Sequence, residues 1–263
     1  MSTSKRLIKI FAFFLAGVII VNIFGLLIKV IVSFLPEDEK LKYYEQSYNS
    51  IKEIVVDARY SKVVITKGNN FNVVGTDMKT KLTSKVNDGV LTVTETSNKF
   101  WNVNSKGVIN ITVKDNVILN ELEIKHGAGS LDISSIVARE FDLEQGAGKV
   151  VIDNVTFDKT SIDGGVGEIV ITSSNLSNLD MDLGVGHASL EANVLGNSEI
   201  DCGVGSMDIK LLNNIDDYTI KIDKGIGQIK VDGVSYKDGS IIGNGRNSLL
   251  INGGIGSIDV KFN

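Results

Sequence analysis

From residue 127 onward, apolar and polar positions follow a scheme keyed to a Gly-x-Gly triplet. The triplet begins at Gly127, Gly146, Gly165, Gly184 and Gly203, each 19 residues after the last, and returns at Gly225 and Gly254 after intervals of 22 and 29. Four residues past the first glycine stand Leu131, Val150, Ile169, Ala188, Met207, Ile229 and Ile258. Two further on stand Ile133, Ile152, Ile171, Leu190, Ile209, Val231 and Val260, with mixed residues between the two columns. Apolar residues at every second position predict a strand with one side buried. A second short strand before the next triplet is marked by Leu143, Ile162, Met181 and Ile200. The glycines, continuing through Gly129, Gly148, Gly167, Gly186, Gly205, Gly227 and Gly256, suit a tight corner where a side chain would clash. One repeat therefore reads strand, loop, strand, glycine corner.

A fixed period over five units implies one structural unit copied in series, stacked so that like residues sit above like. Propeller repeats are about twice as long, and a sandwich of hairpins gives no reason for a constant period. The expected fold is all-β, a β-solenoid (β-helix) with about 19 residues per coil. Residues 51–126 show weaker strand signals. Lys62, Val63, Val64 and Ile65 repeat Lys149, Val150, Val151 and Ile152 letter for letter, with Arg59, Tyr60 and Ser61 where a triplet would fall. This section reads as degenerate first coils of the solenoid or, alternatively, as a separate small β-domain. Residues 127–263 hold the regular coils.

The N-terminus follows another pattern. Ile10 to Ile28 contains one polar residue, Asn22, and apolar character resumes to Leu35. That length crosses a hydrocarbon core of about 30 Å. Lys5, Arg6 and Lys9 precede it and Glu37, Asp38 and Glu39 follow, which predicts a cytoplasmic N-terminus (1–9), one transmembrane helix (10–35), a polar linker (36–50) and an extracytoplasmic 51–263. A cleaved signal peptide would have a shorter apolar region and a small-residue cleavage site, and no such site follows Leu35. The expected location is the cell membrane, single-pass.

Composition changes the picture little. The one proline, Pro36, leaves strand hydrogen bonding uninterrupted later in the chain. There are 27 basic and 32 acidic residues, and four of the basic ones lie in the first 35 residues, which hold no acid. The remainder is therefore acidic and lacks the cationic footprint of nucleic-acid binding. Cys202 is the sole cysteine, so no intrachain disulfide forms, and its position before a triplet suits a small buried residue. His126 and His187 fall in different columns with no second ligand at metal spacing; His187 is expected in solvent. Phosphate-loop, dinucleotide and nucleophile-elbow motifs are absent from the sequence. Gly164 to Thr172 and Gly253 to Lys261 resemble a calcium-binding nonapeptide, but Ile169 and Ile258 occupy the ligand position and carry no oxygen. No cofactor is expected, and no catalytic residue stands out.

Two features remain. Glu144, Asp163, Asp182, Asp201 and Asp223, then Asn252, stand two residues before successive triplets. In register they form a carboxylate ladder about 5 Å apart. Each oxygen could accept a backbone N–H of the glycine corner, as in an Asx-turn, or the row could hold divalent cations or a basic partner. The interval after Gly225 holds ten extra residues around 235–247, with Tyr236, Lys237 and Arg246 as candidate partner contacts and Ile241 and Ile242 expected to be packed. This insert should cover the C-terminal end, or that end should meet a partner chain, including a second copy. Gly243, inside the insert, is expected to tolerate substitution better than Gly167 or Gly186.

The anchor, the weak strands and the run of Gly-[AVI]-Gly-x-apolar-x-apolar units over roughly residues 50–263 resemble the bacterial "putative adhesin" domain family of unknown function. That resemblance implies a right-handed solenoid tethered to the membrane, in some members tied to cell-envelope-stress regulators. It brings no catalytic residues. The expected function is a non-enzymatic scaffold or binding module on the outer face of the membrane, with an envelope protein or wall polymer as partner. The alternative is a β-solenoid enzyme acting on a polysaccharide, which would cluster acids with Arg or Lys in a cleft; here acids and lysines are spread through the outward columns.

Overall fold

The computed structural model describes residues 41–97 and 106–263. The expected transmembrane span, 10–35, lies outside the described residues, as do residues 36–40 of the expected linker. The rest of that linker is not a free spacer: Lys42–Tyr48 form a strand hydrogen-bonded to Phe71–Met78. Among the described residues no helix is long and apolar enough to cross a membrane. The described residues form one compact unit.

Seven short strands come first: β1 (Lys42–Tyr48), β2 (Glu53–Ala58), β3 (Lys62–Gly68), β4 (Phe71–Met78), β5 (Lys81–Asn87), β6 (Val90–Thr96) and β7 (Val108–Lys114). Five long strands follow: β8 (Leu119–Ser134), β9 (Val137–Asp153), β10 (Thr156–Ser177), β11 (Leu179–Leu195) and β12 (Asn197–Leu211). The remainder is β13 (Tyr218–Asp223), β14 (Ile226–Val231), β15 (Val234–Ser235), β16 (Ile241–Ile242), β17 (Asn247–Asn252) and β18 (Ile255–Phe262).

Each long strand carries a triplet at its middle and buries alternate residues on both sides of it. In β8, Leu122 and Ile124 precede the glycines and Leu131 and Ile133 follow them; all four join one hydrophobic core. The strand therefore bends at the triplet and supplies two walls of the same coil. The expected break between strand and corner does not occur. Pairing continues through the bend, where Val166 pairs with Val185 and Gly167 with Gly186. Equal bends on every coil let the ladder pass around the corner without losing register. Strands β8 to β12 stack in parallel in chain order. Side-chain bonds between coils join residues 19 apart, such as Asn154 Nδ2 to Ser135 Oγ and Thr172 Oγ1 to Asp153. Phe141 and Phe157 stack in the core with ring centroids 4.4 Å apart.

At both ends spatial order departs from chain order. Strands β2 and β3 form a coil stacked on β8, with Val63 opposite Leu131 and Ile65 opposite Ile133. The Lys62–Ile65 match thus reports a true register. Outside that coil lie β6 and β7, parallel to β2 and β3, although they come later in the chain. Antiparallel β5, β4 and β1 complete this end. Residues 51–126 are therefore continuous with the stack, but they include antiparallel strands that no coil repeat foretells. At the other end, β17 and β18 lie between β12 and the coil formed by β13 and β14. The last coil of the chain is not the last coil of the stack, contrary to the expectation of an open edge at Lys261–Asn263. The insert supplies β15 and β16, which pair antiparallel with β14 and β13.

Candidate functional site

The glycine corner is the recurrent feature, and backbone proximity explains it. At Gly167 φ is +145°, and a Cβ would lie 1.8 Å from the carbonyl oxygen of Gly148 one coil below. At Gly165 it would lie 2.0 Å from the Gly146 oxygen. No side chain fits there without moving backbone. Gly243 departs from expectation: its φ is +74° and a Cβ would fall 2.3 Å from Tyr218 O. The insert is held against β13, so this glycine too is constrained.

The acidic residues form a column, but in a different order from the sequence. In space it runs Lys125, Glu144, Asp163, Asp182, Asp201, Asn252, Asp223. Intercalation of β17 sets neutral Asn252 between Asp201 and Asp223 and removes one like-charge contact. Toward the other end Lys125 stands 2.9 Å from Glu144, with Asp57 in register beyond it. Among the described residues no backbone N–H of a glycine corner donates to Asp163, Asp182 or Asp201, so the Asx-turn geometry is not formed there; the corner amides serve the ladder instead. Neighbouring rows add Glu53, Glu121 and Glu140, and Glu123, Asp142, Asp180 and Glu199 on the same wall. Burial, then Glu140 and other carboxylates, raises the Glu121 carboxyl above its ordinary range. Burial, then Glu123 and Glu144, raises Asp142. Burial, then Asp201, raises Asp182. This wall carries an excess of acid, with Lys125 against Glu123 and Glu144 and Lys159 against Glu140. Across the corner, Lys149 pairs with Glu168 and Lys210 with Glu191, so the second wall is charge-balanced.

Two buried polar groups escaped the sequence reading. Glu95 is buried beside the Arg59–Ser61 bend, the counterpart of a glycine triplet. Its carboxylate accepts the backbone N–H groups of Arg59 (3.0 Å), Tyr60 (2.9 Å) and Ser61 (3.2 Å), and the hydroxyls of Ser61 (2.5 Å) and Thr80 (2.6 Å). It supplies the acceptor that a neighbouring coil supplies elsewhere. His126 is buried, with Nε2 3.1 Å from Ser61 O and Nδ1 2.9 Å from Gln145 Oε1. It links the first coil to the regular ones. Only the non-glycine bend at 59–61 hinted at either.

The remaining candidates are scattered. His187 is exposed, as expected, with Nδ1 3.0 Å from Ser206 Oγ. Cys202 is half-buried, its thiol pushed up to about 12 by burial and then by Asp201. Tyr236 packs against the core, while Lys237 and Arg246 are exposed. Ile242 is half-buried, but Ile241 stands in solvent, against expectation. Among the described residues no three His, Cys, Asp or Glu side chains are placed to hold a metal ion.

The stack of bent strands defines the chain as a repeat-built, all-β, solenoid-like protein. The Toastrack DUF4097 family profile matches residues 51–244, and the chain belongs to that family. Solved structures similar to it include a "putative adhesin" from Bacteroides fragilis, with 15% identity over 85% of this chain and 98% of that one and a TM-score of 0.47. A "putative cell adhesion protein" from Clostridium sporogenes shares 16% identity over 85% and 100%, with a TM-score of 0.39. A "putative lipid binding protein" from Parabacteroides distasonis shares 18% over 85% and 97%, with a TM-score of 0.38. No curated protein matches the chain in sequence.

Proposed function

We propose that this chain is a single-pass, non-enzymatic surface module. Residues 10–35 anchor it, the N-terminus is cytoplasmic, and a short connection from residue 36 leads into β1 and a right-handed solenoid of about 19 residues per coil outside the membrane. The observation that carries this reading is the columnar display. Coils β8 to β12 hold like positions one above another, so the surface offers parallel rows with rungs about 4.8 Å apart. Rows suit an elongated partner, such as a segment of an envelope protein or a wall polymer. An active site calls instead for different groups converging on one reacting atom. The charge step from Lys5, Arg6 and Lys9 to Glu37, Asp38 and Glu39 supports the orientation. The test is protease added to intact protoplasts bearing the full chain with a C-terminal epitope. Loss of the epitope with cytoplasmic markers intact is expected; a protected epitope overturns the orientation.

A further inference from the structure

The glycine edge carries a row that neither core nor acidic column accounts for. The middle residues of the triplets stack in the order Ala128, Ala147, Val166, Val185, Val204, Ile255, Ile226. The five branched ones are between 46% and 75% exposed. Each stands between two glycines, so no side chain beside it shields it. With rungs about 4.8 Å apart they form an aliphatic ridge roughly 20 Å long. Single exposed apolar residues need no explanation, but a contiguous row marks an interaction surface. Three residues upstream on each rung runs the acidic column. Along the acidic column lies an open groove of about 820 Å³, lined by Glu144, Asp163 and Asp182 with Gly165, and bounded at its far end by Arg59 and Lys125.

We propose that this edge docks an amphipathic helix of a partner protein, with aliphatic residues on the ridge and Lys or Arg along the carboxylates. Spacing favours a helix. Residues on one helix face advance by about 4.5–6 Å per step, close to the rung spacing, whereas same-face residues of an extended strand lie about 6.6 Å apart. Charge selects among occupants. A phospholipid surface brings phosphates toward the acidic column. A second copy offers, on the other flank of its edge, Lys149 as the one lysine in a row with Glu168, His187, Ser206, Ser257 and Gln228. A basic helix answers both rows.

This docking deepens the surface-module reading and rests on it for the partner's access, but binding itself is independent of orientation. The test uses the full chain in phosphatidylcholine nanodiscs, with empty discs as blank. The probe is a fluorescent helical peptide of about 18 residues, long enough to span the ridge, with Leu on one face and Lys along its flank. Saturable binding above the blank is expected. Val166→Ser with Val185→Ser and Val204→Ser should weaken it at least tenfold without changing the melting temperature. Asp163→Asn with Asp182→Asn should weaken it and flatten its salt dependence. A peptide with Glu for Lys should match the blank. Equal binding to empty discs, or binding that ignores both sets of substitutions, overturns the proposal. In cells, a photo-crosslinking residue at 185 should give adducts on a basic amphipathic segment; adducts only to lipid or to a second copy overturn the choice of occupant. Peptide binding with a protease-protected domain defeats the orientation alone, and the reverse pattern defeats the docking alone.

Discussion

The middle of the stack and its two ends solve the same problem by different means. Every corner must satisfy backbone groups where the chain turns sharply. From β8 to β12 each corner is satisfied by an identical corner one coil away, at the cost of excluding any side chain from Gly165 and Gly167. At the N-terminal end the Arg59–Ser61 bend has side chains, and the buried Glu95 carboxylate meets its amides. At the other end Asn247 bridges Gly196 N–H and Asp217 O, fastening the intercalated last coil. Repetition thus works where a neighbour is a copy, and each end needs its own polar clasp.

The largest expected effect is at the middle. Gly167→Val must move the backbone of the coil below and hold a β-branched residue at φ +145°. Strain and overpacking together cost about 3–6 kcal/mol, measured by denaturant unfolding of the full chain. Gly239→Ala is the contrast, with φ +75° but nothing within 4 Å of a Cβ; about 1–2 kcal/mol is expected there. Equal losses would erase the role of close stacking. Next is Glu95→Ala, which strands five donors, three of them buried, and should cost about 3 kcal/mol. Hydrogen exchange should then rise first at Arg59–Ser61; uniform loosening of β8 to β12 instead would deny that this clasp is local. Asn247→Ala should cost about 1–3 kcal/mol, with early exchange in β17 and β18.

The smallest effect comes from the acidic wall. Glu121, Asp142 and Asp182 titrate above the ordinary carboxylate range in the folded state, so there they bind protons more readily than in the unfolded chain, whose values are near 4. Their ionisation opposes folding fully above the raised values, and the opposition is relieved as pH falls through them. A modest rise in melting temperature is therefore expected between neutral and weakly acidic pH. Asp142→Asn with Asp182→Asn should reduce that rise. A rise undiminished in this variant would assign it elsewhere.

The middle was legible because a period survives any local ambiguity. Leu131, Val150 and Ile169 need only share a column for their strands to be placed. The ends were not legible, since order in the stack is a matter of long-range pairing. Nothing local in Asn247–Phe262 says that it slips in beside β12 ahead of β13 and β14. The acidic column shows both sides: its membership was readable, its order was not, and the Asn252 interruption appears only once β17 is in place. Glu95 was hidden because its partners are backbone amides 34 to 36 residues away.

The intercalated last coil bears on mechanical strength. Strand β18 is gripped on both sides, by β12 and β14, with parallel bonds over most of its length. A pull on Asn263 along the strand loads those bonds in shear, so they must yield together. An edge strand in the same place would peel away rung by rung at much lower force. Strand β18 is thus a point from which the molecule can be towed.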